Sequence, residues 1–111
     1  MPRPKKPRFI SGYPVMSAFV PEGIPITGEV TVAVEGMEAV RLSDFEGLDQ
    51  ESAAGRMEIS RQTYGRVLAE ARQTIATALV TGKTLRIGGG MYELKGKGRC
   101  RRRRRGGRQM P

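Results

Sequence analysis

Four polar side chains within six residues, Arg61, Gln62, Thr63 and Arg66, follow directly on Ser60. These are types that read nucleic acid. A guanidinium grips guanine through two hydrogen bonds, a glutamine amide does the same for adenine, and threonine meets a thymine methyl or a phosphate. Such contacts demand short reach and a shared direction. Serine is a strong helix N-cap, so the run predicts the first turns of a helix. The N-terminus of that helix carries the positive end of its dipole, which favours phosphate.

The surrounding spacing predicts how that helix is held. Tyr64, Val67, Leu68, Ala71, Ile75, Ala78 and Leu79 recur at three and four residues, which gives a helix over 61–80 with this face buried. Arg61, Gln62, Gly65 and Arg66 then point outward, with Thr63 beside them. Gly82 ends the helix. A shorter helix over 50–57 is expected before it, capped by Asp49. Ala53 and Ala54 are small enough for a close crossing, and Ile59 fills the turn. Two short helices around a tight turn predict a helix-turn-helix, whose second helix enters the major groove of DNA. Gln50, Arg56 and Arg72 are the candidates for fixing the backbone register, and Ser60 belongs to the same surface. Two residues are unfavourable locally. Gly55 inside a helix costs about 1 kcal/mol relative to alanine, and Glu58 stands at a turn position that favours glycine or asparagine. The competing reading of the same pattern is an ordinary three-helix packing unit with a polar outer face.

Before this block, a first helix is expected over 34–46, with Met37, Val40, Leu42 and Phe45 as its apolar stripe and Gly47 as its stop. Residues 31–34 suit a short extended lead-in. Six prolines in residues 1–28 exclude helix there and predict an extended arm, some of whose apolar residues dock on the body. After the long helix, Leu85 and Ile87, then Gly88-Gly89-Gly90, then Tyr92 to Leu94 predict a β-hairpin with a glycine turn. The expected fold is therefore mainly α: three helices with a short C-terminal β-hairpin and a proline-rich arm. The expected division is an arm over 1–30, a helix-turn-helix domain over 31–94 and an arginine-rich tail over 95–111.

The charge is unevenly placed. Residues 1–8 carry +4 and residues 95–111 carry +9, whereas residues 9–94 carry −4. Basic blocks of this kind attract polyanions at long range, and salt weakens the attraction. Duplex DNA is the expected partner, with RNA the alternative that the tail alone would also serve. With a single cysteine, Cys100, and no histidine, an intramolecular disulfide and a Cys/His zinc site are excluded within one chain. The chain offers no catalytic constellation and calls for no cofactor, so an enzyme is not expected. Gly88-Gly89-Gly90 lacks the lysine and helix of a phosphate loop. No apolar run approaches a membrane span, and residues 1–8 lack a signal peptide's apolar segment, so a cytoplasmic location, on the nucleoid, is expected.

With these residues placed, the run from Met37 to Glu51, MEAVRLSDFEGLDQE, resembles the signature of uncharacterised protein family 0251, also called domain of unknown function 134. The resemblance continues through Ala53-Ala54, Ile59-Ser60-Arg61, Thr63, Ala71-Arg72, the 78–83 run ALVTGK, Leu85, Gly89-Gly90 and Tyr92-Glu93-Leu94, and the opening Pro2-Arg3-Pro4-Lys5-Lys6 is similar. Coverage is about residues 1–94. The resemblance implies a DNA-binding protein, bacterial or archaeal, whose helical block is similar to region 4 of bacterial sigma-70 factors. It thereby implies transcriptional regulation, with RNA polymerase as a further candidate partner. Many such regulators dimerise to read two half-sites, so a second copy of the chain is also a candidate partner, with the C-terminal hairpin as the candidate contact. The alternatives are an RNA- or ribosome-associated basic protein and a protein-interaction adaptor of the transcription machinery. Relatives often carry cysteines where this chain has Pro7, Ser11 and Lys95, so cysteine-based metal or redox sensing is not implied here.

Overall fold

Two local devices frame the long helix. Ser60 is extended, and its hydroxyl accepts the Thr63 amide at 3.0 Å. Gly82 is left-handed, φ 73°, and ends the run. Between them lies α3, Arg61–Thr81. The structure, a computed structural model, describes residues 8–14, 17–90 and 92–94.

Helix α2, Gln50–Met57, begins at Asp49, whose carboxylate accepts the Ser52 amide at 2.7 Å. It ends at Glu58, which takes the left-handed conformation, φ 58° and ψ 44°. That conformation lets the Glu58 amide reach the Gly55 carbonyl and the Ile59 amide reach the Ala54 carbonyl, both at 3.1 Å. Two of the carbonyls in the last turn of α2, those of Ala54 and Gly55, are thus satisfied.

Helix α1, Val34–Val40, continues into a wider π-type turn over Arg41–Phe45, closed by the Glu46 amide on the Arg41 carbonyl at 2.8 Å. This extra residue per turn corrects the expected stripe. Ala39 and Leu42 are buried, but Phe45 is rotated outward and is 83% exposed. Glu35 and Glu38 are buried on α1 instead. They are tolerated because they are paired. Arg8 stands 3.8 Å from Glu35, while Glu38 accepts from Arg41 at 2.9 Å and from the Ser11 amide at 3.0 Å.

The arm is more than a surface strap. It supplies β1 (Arg8–Ile10), β2 (Ala18–Phe19) and the start of β3 (Glu29–Val32), which straddles residue 30. The hairpin expected over 83–94 does not form. Strand β4, Thr84–Ile87, lies between β2 and β3, antiparallel to β2 and parallel to β3. Strand β5, Tyr92–Leu94, pairs with β1 in parallel in a separate sheet. The glycines turn differently from a hairpin loop. Gly88 donates to the Val32 carbonyl at 3.1 Å, and Gly89 accepts the Val34 amide at 3.3 Å. They carry the chain past the start of α1 to the second sheet. A two-stranded hairpin is marginal by itself, whereas the arm offers both strands partners backed by a core.

Helix α3 serves two cores. Its first half, through Tyr64, Val67 and Leu68, packs on Ala39, Leu42, Ala53, Ala54 and Met57. Its second half, through Ala71 and Ala78, packs with Ile10, Val32, Val34, Leu85 and Ile87 of the strands and their margins. Leu79, expected inside, is 76% exposed, because the buried line runs through Ala71 and Ala78 and leaves it about a quarter-turn away.

Candidate nucleic-acid interface

The starts of α2 and α3 lie side by side. The Gln50 carbonyl oxygen, Oε1, is 3.5 Å from where a Gly65 Cβ would sit, so this side chain lies over the second turn of α3. Asp49 is held below the usual carboxylate range, chiefly by its hydrogen bonds from Ser52, and the positive charge of Arg61 also acts on it. Asp49, Gln50, Arg61 and Gly65 therefore converge on one surface. Arg61, Gln62 and Arg66 are exposed there, and Thr63 is half-buried.

The buried side of the same turns explains why the polar side faces out. Tyr64 is fully buried, and its hydroxyl donates to the Ala39 carbonyl at 2.8 Å and also bonds Ser43. Tyr64, with Val67 and Leu68, locks the helix rotation against α1 and α2. Ser60 spends its oxygen on the helix start. Besides accepting the Thr63 amide, it donates to the Thr63 hydroxyl at 3.0 Å. Their role is to fix where Arg61 and Gln62 begin.

Of the eight residues singled out from sequence, six gather at this surface: Gln50, Ser60, Arg61, Gln62, Thr63 and Arg66. Arg56 is exposed at the other end of α2, about 9 Å along the axis from Gln50. Arg72 is three turns after Arg61 on the same side of α3, about 16 Å away. Its guanidinium donates to both Asp44 carboxylate oxygens, at 2.7 and 3.1 Å. That pair holds Asp44 below the ordinary carboxylate range. Sequence reasoning missed Asp44, since partners 28 residues apart give no local signal. Among the described residues, no cluster of histidine, cysteine or carboxylate side chains forms a metal site. No described helix is long and apolar enough to cross a membrane.

Among the described residues, the fold is mainly helical, with three helices, a small three-stranded sheet and a separate two-stranded sheet, and its long helix α3 is shared between two cores. The chain belongs to the family described as Protein of unknown function DUF134, which matches residues 1–95. It is 48% identical over 96 residues to a UPF0251 protein of Pelotomaculum thermopropionicum, covering 85% of this chain and 73% of the relative. It is also 48% identical over 99 residues to a UPF0251 protein of Caldanaerobacter subterraneus subsp. tengcongensis, covering 87% and 84%. A UPF0251 protein of Moorella thermoacetica is 49% identical over 105 residues, covering 92% and 70%. No solved structure matches the chain.

Proposed function

We propose that this chain is a DNA-binding transcriptional regulator and that α2, the turn at Glu58–Ser60 and α3 act as a helix-turn-helix of the sigma-70 region 4 kind. The observation that carries the reading is the split of α3's first turns, with Tyr64, Val67 and Leu68 buried, Gln62 and Arg66 exposed on the opposite side, and Arg61 exposed at the helix start. In this reading, Arg61, Gln62 and Arg66 meet base edges in the major groove. Gln50, Thr63 and the capped start of α3 meet phosphate, and Arg56 and Arg72 extend the backbone contact. The basic segments, +9 in residues 95–111, supply affinity without sequence preference. Such a regulator acts in the cytoplasm, on the nucleoid, and requires no cofactor.

The test is a gel-shift comparison on duplexes selected from a random pool. Arg61→Ala and Arg66→Ala are expected to lose preference for the selected site, by roughly 1–3 kcal/mol each where a bidentate base contact is removed. Equal loss on selected and scrambled duplexes would argue against base reading. Preference for structured RNA over duplex DNA in direct competition would favour the RNA-associated reading, in which the tail binds and the helices are scaffold.

A further inference from the structure

Turns of the π type are rare in helices and frequent at functional sites. Here the turn over Arg41–Phe45 sets one carboxylate against α3. Leu42 is buried, and the Ser43 hydroxyl bonds the Tyr64 hydroxyl, so the residues just before Asp44 are already anchored. Asp44 then accepts twice from Arg72, Oδ2 from Nε at 3.1 Å and Oδ1 from Nη2 at 2.7 Å. Both side chains stay accessible, Arg72 at 51% and Asp44 at 43% exposure.

An exposed ion pair adds little to stability. What this one does is fix a direction. A free arginine side chain turns about several bonds, and ordering it on a partner costs free energy. The two parallel hydrogen bonds from Asp44 supply that order in advance. They take one N–H at Nε and one at Nη2, and both N–H groups of Nη1 lie outside the pair. Arg72 stands about 16 Å along α3 from Arg61 and on the same side. It is a quarter to a third of a turn round the helix from Gln62 and Arg66. A row of Gln62 and Arg66 on base edges sets Arg72 beside the groove wall, where the acceptors are phosphate oxygens.

We propose that Asp44 is a positioning residue of the DNA site, presenting the Arg72 guanidinium, already ordered, to a backbone phosphate of the duplex. The inference rests on the nucleic-acid reading and deepens it. Charge alone gives Asp44 the opposite effect, since a carboxylate beside a phosphate is repulsive. The two accounts therefore differ in sign.

The experiment measures the affinity of the full chain, at a fixed salt concentration, for a duplex selected from a random pool. Asp44→Ala is expected to weaken binding about two- to tenfold, the ordering cost of one long side chain, although it removes a negative charge. Asp44→Asn keeps one carbonyl acceptor for the guanidinium and is expected to fall between Asp44→Ala and the unaltered chain. In an Arg72→Ala background the sign should reverse, with Asp44→Ala tightening binding, because only repulsion is left to remove. Circular dichroism and thermal unfolding should stay close to those of the unaltered chain, as an exposed pair implies. An Asp44→Ala protein that binds as tightly as the unaltered chain, or more tightly, would overturn the role of Asp44 and leave the DNA site standing. A loss of the same size with and without Arg72 would overturn it too. An unaltered chain that binds no duplex would remove the DNA reading itself, and this inference with it.

Discussion

The Tyr64 hydroxyl donates to the Ala39 carbonyl at 2.8 Å, tying the second turn of α3 to the end of α1 across 25 residues of sequence. Ser43 bonds the same hydroxyl. Tyr64→Phe keeps the ring and removes both bonds at a fully buried site. The expected cost is about 1–3 kcal/mol in urea unfolding. Because the ring still fills its place, the exposed side of α3 keeps its direction, and any binding by Arg61 and Arg66 should survive wherever the variant is folded. A stability equal to that of the unaltered chain would mean that these bonds are replaced by others.

The helical block is the part legible in sequence, and the reason is physical. The signals for α2 and α3 are local: caps at Asp49 and Ser60, Gly82 as the stop, and apolar residues recurring at helical spacing. Even the unfavourable Glu58 was readable, and it takes the left-handed conformation that its place in the turn implies. The strands were legible as extended segments and not as partners. Pairing β4 with β2 and β3, and β5 with β1, joins residues more than 50 apart, and no local pattern encodes that choice. Phe45 and Leu79 failed for another reason. Periodicity assumes one helical pitch and one burial line, but a π-type turn rotates the first outward and the strands cover only a narrow stripe beside the second. In the candidate site, Arg61, Gln62 and Arg66 were recoverable from the buried side of their own helix. The Arg72–Asp44 pair was not.

Gly36 and Gly55 look alike in sequence, each inside a helix, and should respond oppositely to alanine. A Cβ at Gly36 would meet the Ala71 Cβ at 3.0 Å and Val32 Cγ2 at 3.2 Å, where α1 crosses α3. Gly36→Ala is therefore expected to destabilise by about 1–3 kcal/mol, through overpacking. A Cβ at Gly55 meets nothing within 4 Å, and its φ lies outside the left-handed region. Gly55→Ala is expected to stabilise by about 0.5–1 kcal/mol, through helix propensity and a less flexible unfolded chain. Thermal unfolding of the two variants beside the unaltered protein checks both signs.

Two titrations set the edges of the pH–stability profile. Asp44 is held below its ordinary value by the Arg72 hydrogen bond. Its contribution is present above the unfolded-state carboxylate value, near 3.8, and is lost as pH falls through the lower folded-state value. The pair is exposed, so the effect is small. Tyr64 is displaced the other way, its burial pushing the phenol above its ordinary value of 10.0. The folded state resists ionisation there, so stability is kept below about pH 10 and falls as pH rises further. Urea unfolding between pH 8 and 11, near the tyrosine range, should show this decline, and Tyr64→Phe should flatten it. An unchanged alkaline slope in that variant would show that the decline does not come from Tyr64.

The proposed division of labour on DNA between the start of α3 and the basic tail can be tested with salt. On duplex DNA, each phosphate neutralised contributes about −0.9 to the slope of log affinity against log salt concentration. Residues 95–111 carry nine positive charges. If half of them meet phosphate, a chain ending at residue 94 should show a slope shallower by about 4, with its ranking of duplex sequences unchanged. Arg61→Ala removes one charge, so its slope should change by at most about 1, while the gap between selected and scrambled duplexes narrows. Fluorescence anisotropy over a salt series, on both duplexes and all three proteins, separates the two effects. A shortened chain that keeps the full slope would remove the tail from the interface. An Arg61→Ala protein with its site preference intact would remove the start of α3 from base reading, whatever the tail does.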